Sequence, residues 1–151
     1  MIKYTDIRVT FSEVPDEVTL CINISGCPCK CEGCHSAYLA EDIGDDLNPF
    51  TLGLLVAKNY PGITCISFMG GDAHPEEVNA LAGLLKQYGL KTAWYSGRQE
   101  LSSSIDISNF DYIKLGPYIE SLGPLNDPNT NQKMYKIEDG EMHDITYKFW
   151  K

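Results

Sequence analysis

The sequence predicts an α/β fold in which a mostly parallel sheet carries helices on its outer face and ends in a C-terminal β-hairpin. Segments with strand composition alternate with segments of helical periodicity, and Gly and Pro residues separate them. Near the C-terminus, two strand-like segments flank a short turn instead. The chain of 151 residues has the size of one compact unit, so we expect a single domain over 1–151.

The first two elements are predicted to be strands at 2–11 and 17–24, joined by a turn at Pro15-Asp16. In the second segment apolar side chains occupy alternate positions: Val18, Leu20, Ile22 and Ile24. This strand leads into a cysteine-rich loop. The acidic stretch 41–46 that follows the loop is predicted to be a surface connection, because it combines carboxylates with a Gly.

Two helices are predicted from their boundary residues. Asn48-Pro49 begins the first, since Asn caps a helix and Pro is tolerated at its first position, and Pro61-Gly62 ends it. His74-Pro75 begins the second, which Gly89 ends at the C′ position. Their apolar faces contain Leu52, Leu55 and Val56 in the first helix, and Val78, Leu81, Leu84, Leu85 and Tyr88 in the second.

The remaining strands lie between and after the helices. Residues 63–69 form a nearly continuous apolar run, which is typical of a strand buried on both faces of a parallel sheet. Residues 91–95 and 111–115 are predicted to be further strands, and 104–109 a short helix or a loop. A hairpin is predicted from 133–137 and 145–150, joined across Asp139-Gly140.

The charge and hydropathy of the chain indicate which classes of partner it is expected to bind and in which cellular compartment it is expected to occur. The net charge of −9 argues against nucleic acid as a partner, since a phosphate backbone requires clustered cations. An acidic surface is consistent with solubility or with an electropositive protein partner. No apolar run approaches the ~20 residues of a membrane span, and the N-terminus has no secretory pattern. We therefore expect a cytoplasmic protein without a membrane partner.

The six cysteines are distributed unevenly along the chain. Cys21 and Cys65 fall within predicted strands and are expected to be small buried residues. The other four lie close together: Cys27, Cys29, Cys31 and Cys34. Because disulfides are rare in a reducing cytosol, this crowding indicates a metal or cluster site.

The cysteine loop reads Ser25-Gly26-Cys27-Pro28-Cys29-Lys30-Cys31-Glu32-Gly33-Cys34-His35-Ser36. Three of its thiols have the spacing C-x3-C-x2-C: Cys27, Cys31 and Cys34. Three thiolates are one short of the four that normally hold an iron–sulfur cube, which leaves one iron open to an outside ligand. Two alternatives stay open at this point. They are a zinc site made by four of the loop's Cys and His residues, and a redox-active thiol loop.

Several polar or Gly-containing segments come directly after predicted parallel strands. In such sheets, ligands bind at the carboxyl ends of the strands. We therefore expect the cysteine loop to meet three segments at one edge: Gly70-Gly71-Asp72, Ser96-Gly97 and Gly116-Pro117.

The cysteine loop resembles the signature of radical S-adenosylmethionine enzymes, in the form used by the activating proteins of anaerobic ribonucleotide reductases. Further segments resemble motifs of that family in the same order: 67–72 (its glycine-rich motif), 92–98, 110–118 and 129–133. The resemblance covers most of the chain. Two positions depart from the pattern, because Cys29 is an additional thiol in the x3 gap and Lys133 stands where Arg is common.

The resemblance implies an incomplete radical S-adenosylmethionine (βα) barrel with a [4Fe–4S] cluster on Cys27, Cys31 and Cys34. S-Adenosylmethionine would chelate the open iron. Gly70 and Gly71 would let the backbone approach its methionine part, and Asp72 would accept a hydrogen bond from its amino group. Further candidates for cofactor contact are His35, Ser96 and Lys114. For these three, a surface histidine, a turn serine and a solvated lysine are the alternatives.

The implied activity is reductive cleavage of S-adenosylmethionine to a 5′-deoxyadenosyl radical, which generates a glycyl radical on an anaerobic ribonucleotide reductase. A low-potential donor such as flavodoxin or ferredoxin would supply the electron, and no catalytic residue is predicted beyond the cluster site. The loop 116–132 is a candidate docking surface for the partner's glycyl loop. The alternative functions are a small-molecule radical enzyme resembling 7-carboxy-7-deazaguanine synthase, and a zinc-stabilised interaction module without catalysis.

Overall fold

The computed structural model of the chain describes residues 2–28 and 42–150, and within them it is an α/β structure with one mixed sheet of eight strands and two α-helices. The strands are β1 (Lys3–Thr10), β2 (Thr19–Ile24), β3 (Asp45–Asp46), β4 (Cys65–Met69), β5 (Lys91–Tyr95), β6 (Tyr112–Leu115), β7 (Lys133–Glu138) and β8 (Glu141–Asp144). The helices are α1 (Pro49–Asn59) and α2 (Pro75–Leu85). Short 3₁₀ helices occur at Lys86–Tyr88, Ile107–Asn109 and Thr146–Phe149.

The strand order is β3-β1-β2-β4-β5-β6-β7-β8, and the sheet is open rather than closed into a barrel. β2, β4, β5 and β6 are parallel neighbours. The pairs β1–β3, β1–β2, β6–β7 and β7–β8 are antiparallel. The expectation of a mostly parallel sheet is therefore wrong. Parallel neighbours need long crossover connections, and in the described residues only the central strands are joined in that way.

The N-terminal strands form as predicted, although β2 begins at Thr19 rather than at residue 17. The acidic stretch 41–46 is more than a connection, because its last two residues form β3 against Lys3 and Tyr4. Leu47 N–H donates to the Ile2 carbonyl at 2.9 Å and continues this pairing. Gly44 makes the approach possible, since its φ is +99° and a Cβ there would lie 2.1 Å from the Tyr4 carbonyl oxygen.

Both predicted helices are confirmed. Asn48 caps α1, where its side-chain oxygen accepts the Thr51 N–H at 2.9 Å. α2 begins at Pro75 after His74, whose side chain makes no capping hydrogen bond. The α-helix ends at Leu85, and one 3₁₀ turn carries the chain to Gly89 in the left-handed region. The apolar side chains of α1 and α2 pack against the same side of the sheet.

The core occupies both faces of the central strands. On the helical face, strand residues such as Ile22, Phe68 and Trp94 pack with the apolar residues of α1 and α2. On the other face, a second cluster of buried residues includes Cys65, Tyr112 and Met134. β4 is buried on both faces, as its apolar composition predicts.

The C-terminal hairpin is confirmed, but its second strand is β8 rather than the predicted 145–150. Asp139 and Gly140 both have positive φ, as a two-residue hairpin turn requires. β8 does not extend to Thr146, because the polar groups of Thr146 make other hydrogen bonds. Its N–H and hydroxyl donate to the Asp144 carboxylate, and its oxygen accepts the Met134 N–H. Residues 146–149 then turn into a 3₁₀ helix.

In the parts of the chain that the structure describes, no helix has the length and apolar character to span a bilayer.

We predict that Gly44→Ala lowers the free energy of unfolding by at least about 2 kcal/mol more than Gly140→Ala does. Both glycines have positive φ, so both substitutions carry similar backbone strain of about 1 kcal/mol. Only at Gly44 does the new Cβ meet backbone, whereas at Gly140 nothing lies within 4 Å. Urea unfolding of the two variants measures the difference, and equal losses would contradict the contact at Tyr4.

Candidate functional site

The register of the parallel strands aligns the predicted site segments at one edge of the sheet. Asn23 of β2 pairs with Met69 of β4, Met69 with Tyr95 of β5, and Tyr95 with Lys114 of β6. The residues that follow these positions therefore leave the sheet side by side. We call this the carboxyl edge, defined by residues 25–27, 70–72, 96–98 and 114–117.

Cys27 lies at the carboxyl edge with its thiol partly exposed. Ser25 fixes the chain just before it, because its N–H donates to the Lys3 carbonyl at 2.9 Å and its hydroxyl donates to the Ile43 carbonyl at 2.5 Å. These bonds tie the start of the cysteine segment to the chain that follows it. Three predicted site residues, Cys31, Cys34 and His35, lie outside the described residues, as does the additional thiol Cys29.

Gly70 and Gly71 are required by packing inside the fold. Both have positive φ, at +106° and +91°. A Cβ at Gly70 would lie 3.1 Å from the Ile24 carbonyl oxygen, and one at Gly71 would lie 2.6 Å from Val78 Cγ2. The Trp94 indole N–H donates to the Gly70 carbonyl at 2.6 Å and orients the turn. The turn therefore runs against β2 and α2 with no room for side chains.

Asp72 connects the ends of β4 and β5. Its side chain is only 6% exposed. One carboxylate oxygen accepts the Ser96 hydroxyl at 2.5 Å, and the other accepts the Gly97 N–H at 2.8 Å. The carboxylate is therefore held in a fixed orientation by donors from the end of the neighbouring strand.

Ser96 is 1% exposed, and its hydroxyl hydrogen is directed to Asp72. The same oxygen accepts the Arg98 N–H at 3.1 Å. This geometry gives Ser96 a definite role in the fold, because it holds Asp72 and the β5 end together. A direct contact between Ser96 and a cofactor stays a prediction.

Lys114 is 8% exposed, so the alternative of a solvated lysine is wrong. Its ammonium donates to the Gly116 carbonyl at 2.8 Å and to the Ser96 carbonyl at 3.3 Å. It also lies 5.9 Å from the centre of the Tyr95 ring, within the range of a cation–π interaction. Lys114 therefore places a buried positive charge at the carboxyl edge.

An open cavity of about 550 Å³ adjoins this edge and is lined by Asp72, Pro75, Trp94 and residues 98–102. Its volume lies in the range that binds small molecules. Arg98 and Glu100 give it charges of both signs. Sequence reasoning did not select either residue, although Arg98 directly follows the Ser96-Gly97 pair and could have been chosen for that position.

Cys21 and Cys65 are completely buried, which confirms the prediction that they are core residues. Burial raises the pKa of the Cys21 thiol to about 11 and raises the pKa of Cys65 further. Both side chains are therefore neutral thiols at physiological pH. Since metals and clusters bind thiolates, neither residue is a suitable ligand.

In comparisons with protein-family models and with curated proteins, nothing matches this chain. The functional interpretation therefore depends on the motifs of the chain and on the geometry of the carboxyl edge.

We predict that Asp72→Asn lowers the free energy of unfolding by about 2 kcal/mol and Ser96→Ala by about 1 kcal/mol. An amide keeps one acceptor oxygen, but its NH₂ group would face one of the two groups from which Asp72 now accepts a hydrogen bond. The losses should be less than additive in the double variant, because both substitutions remove the same hydrogen bond. Urea unfolding of the three variants checks this, and strict additivity would contradict the coupling.

We predict that a thiol reagent at about pH 8 labels Cys27 in the folded, metal-free protein and leaves Cys21 and Cys65 unlabelled. Only thiolates react, and burial with a raised pKa keeps the latter two protonated. Tandem mass spectrometry locates the label, and labelling in urea should reach all three thiols. Native labelling of Cys21 or Cys65 as fast as Cys27 would contradict their placement.

Proposed function

We propose that this protein is a radical S-adenosylmethionine activase that generates a glycyl radical on an anaerobic ribonucleotide reductase. One observation carries the proposal. Cys27, the first thiol of the C-x3-C-x2-C motif, follows β2, and Gly70-Gly71-Asp72 directly follows β4, the parallel neighbour of β2. The first thiol of the motif and the segment proposed to bind the methionine part therefore lie at the same edge of the sheet.

The donor chemistry of this edge fits an iron–sulfur cluster. Thiolates are the usual ligands of such clusters, and Cys27 offers a partly exposed thiol. Gly26 turns the chain there with φ +72°, and a Cβ at Gly26 would meet nothing within 4 Å. Cys31 and Cys34 would complete a set of three thiolates. When bound, the cluster would deliver one electron to S-adenosylmethionine, whose cleavage gives methionine and the 5′-deoxyadenosyl radical.

The residues of the chain would bind and orient the cofactor. Asp72 would accept a hydrogen bond from the methionine ammonium group, as an oriented carboxylate suits a charged donor. Lys114 would add a fixed positive charge at the same edge, suited to an anionic group such as a carboxylate. Both side chains are held by the fold before any ligand binds, which reduces the cost of ordering them.

The partner's glycine would then react at this edge. The 5′-deoxyadenosyl radical would take a hydrogen atom from the glycine Cα, which would give 5′-deoxyadenosine and leave the unpaired electron on the glycine. The electron for each cleavage would come from a low-potential donor such as flavodoxin or ferredoxin. An open sheet, in place of a closed barrel, favours a macromolecular substrate that approaches from outside.

We predict that Cys27→Ala abolishes cluster binding, whereas Cys21→Ala, a matched substitution of a buried thiol, leaves it unchanged. Cys31→Ala and Cys34→Ala should also abolish it, and Cys29→Ala should not. After anaerobic reconstitution, the wild-type chain should hold about four irons. Once reduced, it should convert S-adenosylmethionine to 5′-deoxyadenosine and produce a glycyl-radical signal with the reductase by electron paramagnetic resonance.

The alternatives predict different results. A colourless protein with one zinc per chain would support the interaction module. Cleavage of S-adenosylmethionine without any glycyl radical would support a small-molecule enzyme. Loss of the cluster in Cys29→Ala would show that the set of three ligands is wrong.

A further inference from the structure

The connection between β6 and β7 is much longer than the sheet requires. These strands are antiparallel neighbours, and Leu115 pairs directly with Lys133. A turn of two residues can join such neighbours. Instead, residues 116–132 lie between the two strands. This segment begins at the carboxyl edge, where Lys114 donates a hydrogen bond to the Gly116 carbonyl. We call residues 116–132 the docking loop.

The docking loop is held by its own hydrogen bonds. The Thr130 hydroxyl donates to the Gly123 carbonyl at 3.2 Å, and the Asn131 amide donates to the Pro117 carbonyl at 3.1 Å. Leu125 is buried in the second core cluster and anchors the middle of the loop. A long loop that is packed in this way is ordered by its own contacts, which is typical of functional surface loops.

An open cavity of about 530 Å³ is lined by four consecutive residues of the docking loop: Tyr118, Ile119, Glu120 and Ser121. Ile119 is 39% exposed, so an aliphatic side chain is accessible beside the exposed Glu120 and Ser121. The volume is suited to a few residues of an extended peptide.

The charge of the loop restricts what can bind there. Its charged residues are Glu120 and Asp127, and the sequence has no Lys or Arg between 116 and 132. The whole chain is also acidic, with a net charge of −9. A binding segment that carries basic side chains would therefore be attracted and oriented by this surface.

We propose that the docking loop binds a peptide segment of the partner reductase in which basic residues flank the reactive glycine. This inference rests on the proposed function, because hydrogen-atom transfer requires the reacting atoms to come within about 3.5 Å of each other. The glycine must therefore be brought to the carboxyl edge, and the docking loop is the surface that begins there. Ile119 supplies an apolar contact, and Glu120 supplies the charge that pairs with the basic residues.

Two variants test the proposal, each with a matched control. Ile119→Asp is matched by Phe11→Asp, since Phe11 is 78% exposed just after β1, across the sheet from the docking loop. Glu120→Lys is matched by Glu141→Lys, at an exposed position in β8. Isothermal titration calorimetry with the glycyl-radical subunit should show binding at least about fivefold weaker for both loop variants and unchanged for both controls. The Glu120→Lys effect should shrink as salt is raised.

A second measurement separates this proposal from the proposed function. The loop variants should cleave S-adenosylmethionine without the partner at the wild-type rate, but they should give at least about fivefold less glycyl radical at subsaturating reductase. If the wild-type chain did not cleave S-adenosylmethionine, the proposed function would fail, while the calorimetry would still report on docking. If cleavage and radical formation were intact and the loop variants bound like wild type, the docking proposal would be wrong. A change limited to self-association of the chain would also overturn it, since the occupant would then be a second copy.

Discussion

The buried carboxylate of Asp72 is the constraint on which the carboxyl edge depends. A carboxylate that is removed from water is costly unless hydrogen bonds compensate it. Here the compensation comes from the next strand, through the Ser96 hydroxyl and the Gly97 N–H. These two hydrogen bonds form because β4 and β5 end side by side. Lys114 extends the same connection to β6 through the Ser96 and Gly116 carbonyls, so three strand ends are held as one unit.

The two glycines before Asp72 show how packing and binding requirements coincide. A Cβ at Gly71 would overlap Val78, which belongs to the face of α2 buried against the sheet. The absence of a side chain therefore lets the helix start close to the strand end. The proposed function uses the same glycines for a different reason, which is close approach of the backbone to a ligand. The fold thus requires glycine at positions where the proposed chemistry also benefits from it.

Local patterns in the sequence were sufficient to predict α1, α2, β4 and the turn at Asp139-Gly140. Each of these elements is specified by caps, by burial on both faces or by positive φ within a few residues. β3 could not be predicted, because two consecutive aspartates have no strand pattern and pair only through their distant contact with Lys3 and Tyr4. The share of parallel strand pairs in the sheet was overestimated for a related reason. The direction of the outer strands depends on which neighbour they reach, and local composition does not encode that.

The candidate site was predictable in outline and not in its hydrogen bonds. The carboxyl ends of parallel strands lie at one edge of a sheet, and this rule was enough to predict that Cys27, Asp72 and Ser96 lie at the same edge. The burial of Lys114 was not predictable, because one of its acceptors, the Ser96 carbonyl, faces it only after β5 and β6 have paired. A lysine at the end of a strand has the same local sequence whether it is solvated or enclosed. Tertiary contacts decide between the two.

These contacts also bear on the choice between a structural metal and a reactive cluster. A structural zinc site contributes folding energy by joining segments that are otherwise poorly held. At this edge, hydrogen bonds already perform that task. Ser25, just before the cysteine segment, donates to the carbonyls of Lys3 in β1 and of Ile43 after the segment, and Asp72 joins the ends of β4 and β5. Hydrogen bonds hold both ends of the segment, and the proposed function gives a different explanation for the crowded thiols, which is that they serve chemistry rather than folding. A set of three thiolates, which leaves a coordination position open, agrees with that explanation, whereas a closed tetrahedral site would duplicate what the backbone already does.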